Sequence, residues 1–111
     1  MPTASRPLGE FELLVLLSVF RLGHGAYPVA IADAIEQTGR QPTSRAAVQI
    51  TLDRLEDKGF LTSHYGDPTP VRGGRAKRFF HPKPAAIQAV RQSLGRIERL
   101  AAGLDAVLKQ R

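Results

Sequence analysis

Three glycines, Gly23, Gly39 and Gly59, cut the first sixty residues into pieces of helical length, and this division limits what the chain can become. Glycine weakens a helix interior by about 1 kcal/mol relative to alanine and is favoured just beyond a helix end. The first piece, "LGEFELLVLLSVFRLG", is apolar on nearly every side, with Glu12 and Ser18 as interruptions, so its helix must be covered on more than one face. The second, "AYPVAIADAIEQTG", offers Pro28 for a first helical position and a stripe of Ile31, Ala34 and Ile35. In the third, "PTSRAAVQITLDRLEDKG", Thr43 or Ser44 can cap the N-terminus, and Val48, Leu52 and Leu55 form one inward stripe. The short link from Gly39 to Pro42 joins the second and third helices tightly, the pattern of a helix-turn-helix.

The periodicity then changes. "FLTSHY" (Phe60 to Tyr65) and "AKRFFHP" (Ala76 to Pro82) read as short strands, separated by the Gly- and Pro-rich "GDPTPVRGGR". Three helices followed by a hairpin is the winged-helix order. From Pro84 onward, Ile87, Val90, Leu94, Ile97, Ala101, Leu104 and Leu108 alternate spacings of three and four, predicting a final helix with a coiled-coil-like seam. Gly95 and Gly103 weaken that helix, so its stability must come from packing. The seam either folds back on its own domain or pairs with a second copy, with Leu14 and Leu17 of the first helix as the opposing wall. The expected fold is mainly α with a small β-hairpin wing: a flexible tail at 1–7, a winged helix-turn-helix at 8–82, and a C-terminal dimerisation helix at 83–111.

Charge points to the partner. Sixteen Lys and Arg against ten Asp and Glu give a net charge of +6, which favours a polyanion. The excess is local: between Asp67 and Glu98 there is no acidic residue, while Arg72, Arg75, Lys77, Arg78, Lys83, Arg91 and Arg96 all fall there. In the wing, Gly73 and Gly74 let the backbone approach a surface, Arg72, Arg75 and Lys77 can contact phosphates or enter the minor groove, and Phe79 or Phe80 can pin the returning strand. Arg78, beside the Phe pair, is as well suited to supporting the strand as to touching DNA.

Several functions are disfavoured. The chain has no cysteine, which removes disulfides, thiolate metal sites and thiol catalysis and suits a reducing cytoplasm. The apolar run Leu13 to Phe20 is too short to span a bilayer, so no membrane partner is expected. No Ser or carboxylate is placed beside a base, so no enzyme, catalytic residue or cofactor is expected. His64 and His81 could face each other across the hairpin, but paired strand histidines are more often surface residues, and no metal site is assigned.

The segments "LGEFELLVLLSVFRLG", "AYPVAIADAIE", "AVQITLDRLEDKGFL" and "GDPTPVRGGRAKRFF", in that order, resemble the PadR-like winged-helix transcriptional regulators over nearly the whole chain from Leu8 to Leu108. The resemblance implies a dimeric repressor that applies its third helix and wing to a palindromic operator and dimerises through the C-terminal helix, here of the family's smaller type. It also implies a place for a small-molecule effector at the dimer interface; an aromatic sandwich is unsupported, since the chain has no tryptophan. Where many relatives carry a DNA-contacting tyrosine, this chain has Gln49.

Setting Val48, Leu52 and Leu55 inward turns Ala46, Ile50, Asp53 and Asp57 outward, flanked by Arg45, Gln49 and Arg54. Asp53, Glu56 and Asp57 make the C-terminal half acidic, so the N-terminal half is expected in the major groove, with the Thr43 and Ser44 hydroxyls near a phosphate. Gln49 can pair with adenine, Ile50 with a thymine methyl, and Arg45 with guanine or a phosphate. The alternatives are that Ile50 packs against the second helix while Gln49 stays in water, and, for the whole chain, that the domain is a protein-interaction module within a larger regulatory complex.

Overall fold

A computed structural model describes residues 7–39, 42–67 and 76–110. Helix α1 spans Glu10–Leu22, followed by a single 3-10 turn at Gly23–Gly25. Helix α2 spans Pro28–Glu36 and α3 spans Arg45–Asp57; strands β1 (Leu61–Tyr65) and β2 (Arg78–Pro82) lead into α4 (Pro84–Ala101) and a single-turn α5 (Asp105–Leu108). The strands pair antiparallel, with Leu61 opposite Pro82 and Tyr65 opposite Arg78. Both begin slightly later than the sequence pattern suggests. Phe60 is instead buried, and its carbonyl accepts from the Lys83 N–H (2.9 Å), closing the base of the hairpin.

The core lies where α1, α2 and α3 meet under the hairpin. Val15, Leu16 and Val19 of α1, Ile31 of α2 and Val48, Leu52 and Leu55 of α3 are fully buried, together with Phe80 of β2. Each such aliphatic side chain contributes about 1.5–3 kcal/mol by leaving water. On α2 the buried stripe is Ile31, Ala32 and Ile35; Ala34, expected inward, is half-buried. The 3.6-residue repeat rotates Ala32 rather than Ala34 towards the core. The returning strand is pinned as expected, by Phe80, and its N–H donates to the carbonyl of Ala26 (2.8 Å), which ties the hairpin to the link between α1 and α2.

Glu12, an apparent interruption in α1, fastens two elements. Its Oε1 accepts from the Gly9 N–H (3.0 Å) at the helix start and its Oε2 accepts from Lys58 Nζ (3.0 Å) at the end of α3. Burial raises its pKa, but the Gly9 and Lys58 hydrogen bonds and the charges of Lys58 and Arg54 outweigh that, and the net shift is downward.

The C-terminal region corrects two expectations. A single helix does not run through the whole seam: α4 stops at Ala101, and Gly103, at φ +81°, turns the backbone before α5 begins. That left-handed conformation carries almost no cost for glycine, and it removes Leu104 and Leu108 from the rotational register of α4. Val90, expected on the seam, is 4% exposed and packs with Ala86 and Ala89 into the chain's own core. The first half of α4 therefore folds back on the domain, while Ile87, Leu94, Ile97 and Leu100 face outward.

Candidate nucleic-acid interface

Helix α3 holds one face outward because its cap and its core stripe fix its rotation. Ser44 is the N-cap; its Oγ accepts from the Ala47 N–H (3.1 Å), and the Val48 N–H donates to its carbonyl (3.1 Å). With Val48, Leu52 and Leu55 buried, Arg45, Ala46, Asp53, Arg54 and Asp57 are exposed, Gln49 is half-buried, and Ile50 is 58% exposed. Ile50 is thus not packed against α2. It is an isolated apolar side chain on a polar surface, a shape suited to a thymine methyl group.

The start of α3 is braced by a partner that no local sequence pattern reveals. The Thr43 N–H donates to Glu36 Oε1 (2.7 Å) at the end of α2, so that amide is engaged and a carboxylate stands beside the helix N-terminus. The carboxylate and the positive end of the α3 dipole attract each other and hold the start of α3 against the end of α2.

Arg72, Gly73, Gly74 and Arg75 lie outside the described residues. Lys77 is exposed, with its ammonium 4.4 Å from the centroid of the Tyr27 ring. Tyr27 in turn meets Phe79 edge to face, at 5.7 Å between centroids. At the other side of the loop, the Gly66 N–H donates to the Lys77 carbonyl (2.8 Å), and a Cβ on Gly66 would come within 2.8 Å of the Phe79 ring. Glycine is required there for close approach.

Arg78 supports the strand. Its Nε donates to Ser63 Oγ (3.1 Å), its Nη1 to Asp53 Oδ1 (3.2 Å), and its Nη2 to Glu56 Oε1. Ser63 Oγ donates to Glu56 Oε2 (2.8 Å), and Gln49 Nε2 to Asp53 Oδ1 (3.1 Å). The acidic half of α3 is thereby partly neutralised from the hairpin. A hint lies in the i, i+3 spacing of Asp53 and Glu56, but their partner becomes readable only once the strand register is known.

His64 Nδ1 and His81 Nε2 approach to 2.9 Å across the hairpin, and Phe79 stacks on His64 at 5.8 Å. Among the described residues no three His, Cys, Asp or Glu side chains gather to hold a metal ion, and no helix is long and apolar enough to cross a membrane.

These elements make a winged helix-turn-helix followed by a C-terminal helix. The fold is similar to that of a PadR family transcription regulator from hypervirulent Clostridium difficile R20291, with a TM-score of 0.72 at 16% identity over 90% of this chain and 99% of that one. A PadR family transcriptional regulator from Eggerthella lenta DSM 2243 is similar at a TM-score of 0.66 and 19% identity, over 92% of this chain and 88% of that one. A structure described as a putative transcriptional regulator from Thermoplasma acidophilum, TA0346, is similar at 0.65 and 15% identity, over 89% and 93%. The chain has the PadR-like winged-helix fold. No family model matches the sequence, and no curated protein matches it.

Proposed function

We propose that the protein is a DNA-binding transcriptional regulator, a repressor rather than an enzyme, which acts in the cytoplasm as a homodimer on a palindromic operator. The observation that carries the reading is the outward face of α3: Arg45, Gln49 and Ile50 project from the N-terminal half of a helix whose other face is locked in the core. That half combines amide, cation and methyl-seeking surface, the chemistry of major-groove readout. The wing supplies the phosphate contacts, from Lys77 and from Arg72 and Arg75 beyond the described residues.

The dimer reading rests on the leftover apolar surface. Ile87, Leu94, Ile97 and Leu100 on α4, and Leu104, Val107 and Leu108 beyond it, are exposed in the single chain. A groove of about 580 Å³, lined by Leu14, Leu17, Phe20, Ala34 and Ile35 with Arg21 at the side, offers an opposing apolar wall on α1 and α2. A second copy's α4 is the proposed occupant. A small-molecule effector entering that groove would compete with the seam and so act on the dimer.

The test is fluorescence anisotropy with duplex DNA, with single-stranded RNA of the same sequence as competitor, at several salt concentrations. The reading expects duplex preference and an affinity that falls steeply with salt, by about 0.9 in log–log slope for each phosphate neutralised. Weak, salt-insensitive binding to both would favour the protein-interaction module instead.

A further inference from the structure

Arg78 joins the two parts of the interface. Its guanidinium lies 4.9 Å from the ring centroid of the fully buried Phe80, so it rests against the core. From there its planar fork reaches Asp53 and Glu56, on adjacent turns of α3, and Ser63 on β1. One guanidinium therefore spans the recognition helix and both strands of the wing. Asp53 passes the constraint on. The same Oδ1 that accepts from Arg78 also accepts from Gln49 Nε2, one turn closer to the helix start and beside Ile50. With one amide N–H held by Asp53, Gln49 keeps a second N–H and its Oε1, a donor and acceptor pair that matches adenine N7 and N6.

We infer that Arg78 is a positioning residue for base reading: through Asp53 it sets the Gln49 amide, and by bridging α3 to the hairpin it fixes the angle between reading helix and wing. The inference rests on the DNA-binding reading above. It requires arginine, since three acceptors are met by three separate nitrogens; a lysine ammonium carries the charge but has no planar fork to meet them together. The rival role for Arg78 is direct binding of a phosphate, and the two roles differ in what a substitution removes. Removing a phosphate ligand weakens binding to every duplex alike and flattens the salt slope by about 0.9. Removing a positioning residue lowers discrimination and leaves non-specific affinity in place.

The experiment uses the full chain and two probes: a duplex enriched from a random-sequence pool by the wild-type protein, and a scrambled duplex of the same composition. Affinities are read at several salt concentrations for the wild type, Arg78→Lys, Arg78→Gln, Asp53→Ala and the Arg78→Lys/Asp53→Ala pair. Each single substitution is expected to lower the ratio of selected to scrambled affinity by about tenfold, the scale of one base contact. Arg78→Gln is expected to keep the wild-type salt slope, and the pair to lose no more than the larger single change, because both act through one network. Retention of the full ratio by Arg78→Lys, additive losses in the pair, or a slope flattened by Arg78→Gln with equal losses on both duplexes would overturn the inference. Should Arg78→Gln fail to fold by circular dichroism, Asp53→Ala, on an exposed helix face, decides alone: an unchanged ratio sinks the inference. A wild type that enriches no duplex defeats the DNA-binding reading itself, an outcome distinct from all of these.

Discussion

Helices α3 and α4 each leave one face out of the core, and the two faces are chemically opposite. On α3 the outward residues are charged or polar apart from Ile50 and the small Ala46, whereas α4 and the residues after it expose Ile87, Leu94, Ile97, Leu100, Leu104, Val107 and Leu108. Among the described residues, seven of the nine large exposed apolar side chains therefore lie in the last quarter of the chain, the other two being Ile50 and Tyr65. A contiguous apolar surface signals a protein partner, while a polar face with one methyl-bearing residue fits a groove lined by base edges. Both helices reach the same core, α3 through Val48, Thr51, Leu52 and Leu55 along its length and α4 only through Ala86, Ala89 and Val90 in its first half.

The largest effect should come from the apolar face. Leu94→Asp with Ile97→Asp removes two seam side chains from each protomer; at about 1.5–3 kcal/mol per buried side chain, dimerisation should weaken on the order of a thousandfold or more. Sedimentation velocity reads this directly, and an unchanged dimer would erase the contrast between the helices. Leu104→Asp lies beyond the break at Gly103 and should weaken the dimer by about tenfold, which measures how far α5 extends the seam.

On the polar face, Gln49→Ala or Ile50→Ala should cost about 1–3 kcal/mol on a selected duplex and much less on a scrambled one. Equal losses on both, with the fold intact by circular dichroism, would mean that these side chains do not read bases. A smaller change is expected at the wing. Gly66→Ala pushes a methyl group against the Phe79 ring and should cost about 1 kcal/mol in a urea melt, relieved when Phe79→Leu is added.

The smallest effect concerns Glu12, which ties α1 to the end of α3. Its folded pKa is lowered, so its contribution is present above the ordinary value of 4.5 and is lost as pH falls through the folded value. Glu12→Gln should cost about 0.5 kcal/mol at neutral pH, and the difference from wild type in thermal melts should shrink on acidification below that range.

The order of elements was legible because each helix carries its own stop and its own apolar stripe: Gly23, Gly39 and Gly59 mark ends within a few residues of Leu22, Glu36 and Asp57. The rotation of α3 was legible for the same reason, since Val48, Leu52 and Leu55 admit one inward face. What periodicity could not supply was competition between partners. The a/d pattern of α4 is the same whether a residue meets its own core or a second chain, and only packing buries Val90 in the first while leaving Leu94 outside it. Contacts across long sequence separations were equally hidden. Arg78 meets Asp53 across 25 positions, and Lys58 meets Glu12 across 46, distances over which no local pattern links the residues.

The most direct test of the two-faced account is selection of duplexes from a random-sequence pool by the full-length protein, followed by sequencing of the bound fraction. The account predicts an enriched inverted repeat whose half-site centres are one helical turn of DNA, about 10 bp, or a multiple of it apart, with the enrichment collapsing for the Leu94→Asp/Ile97→Asp protein. A single unrepeated motif would contradict the dimeric arrangement, and a bound pool no different from the input would contradict base reading by α3 altogether.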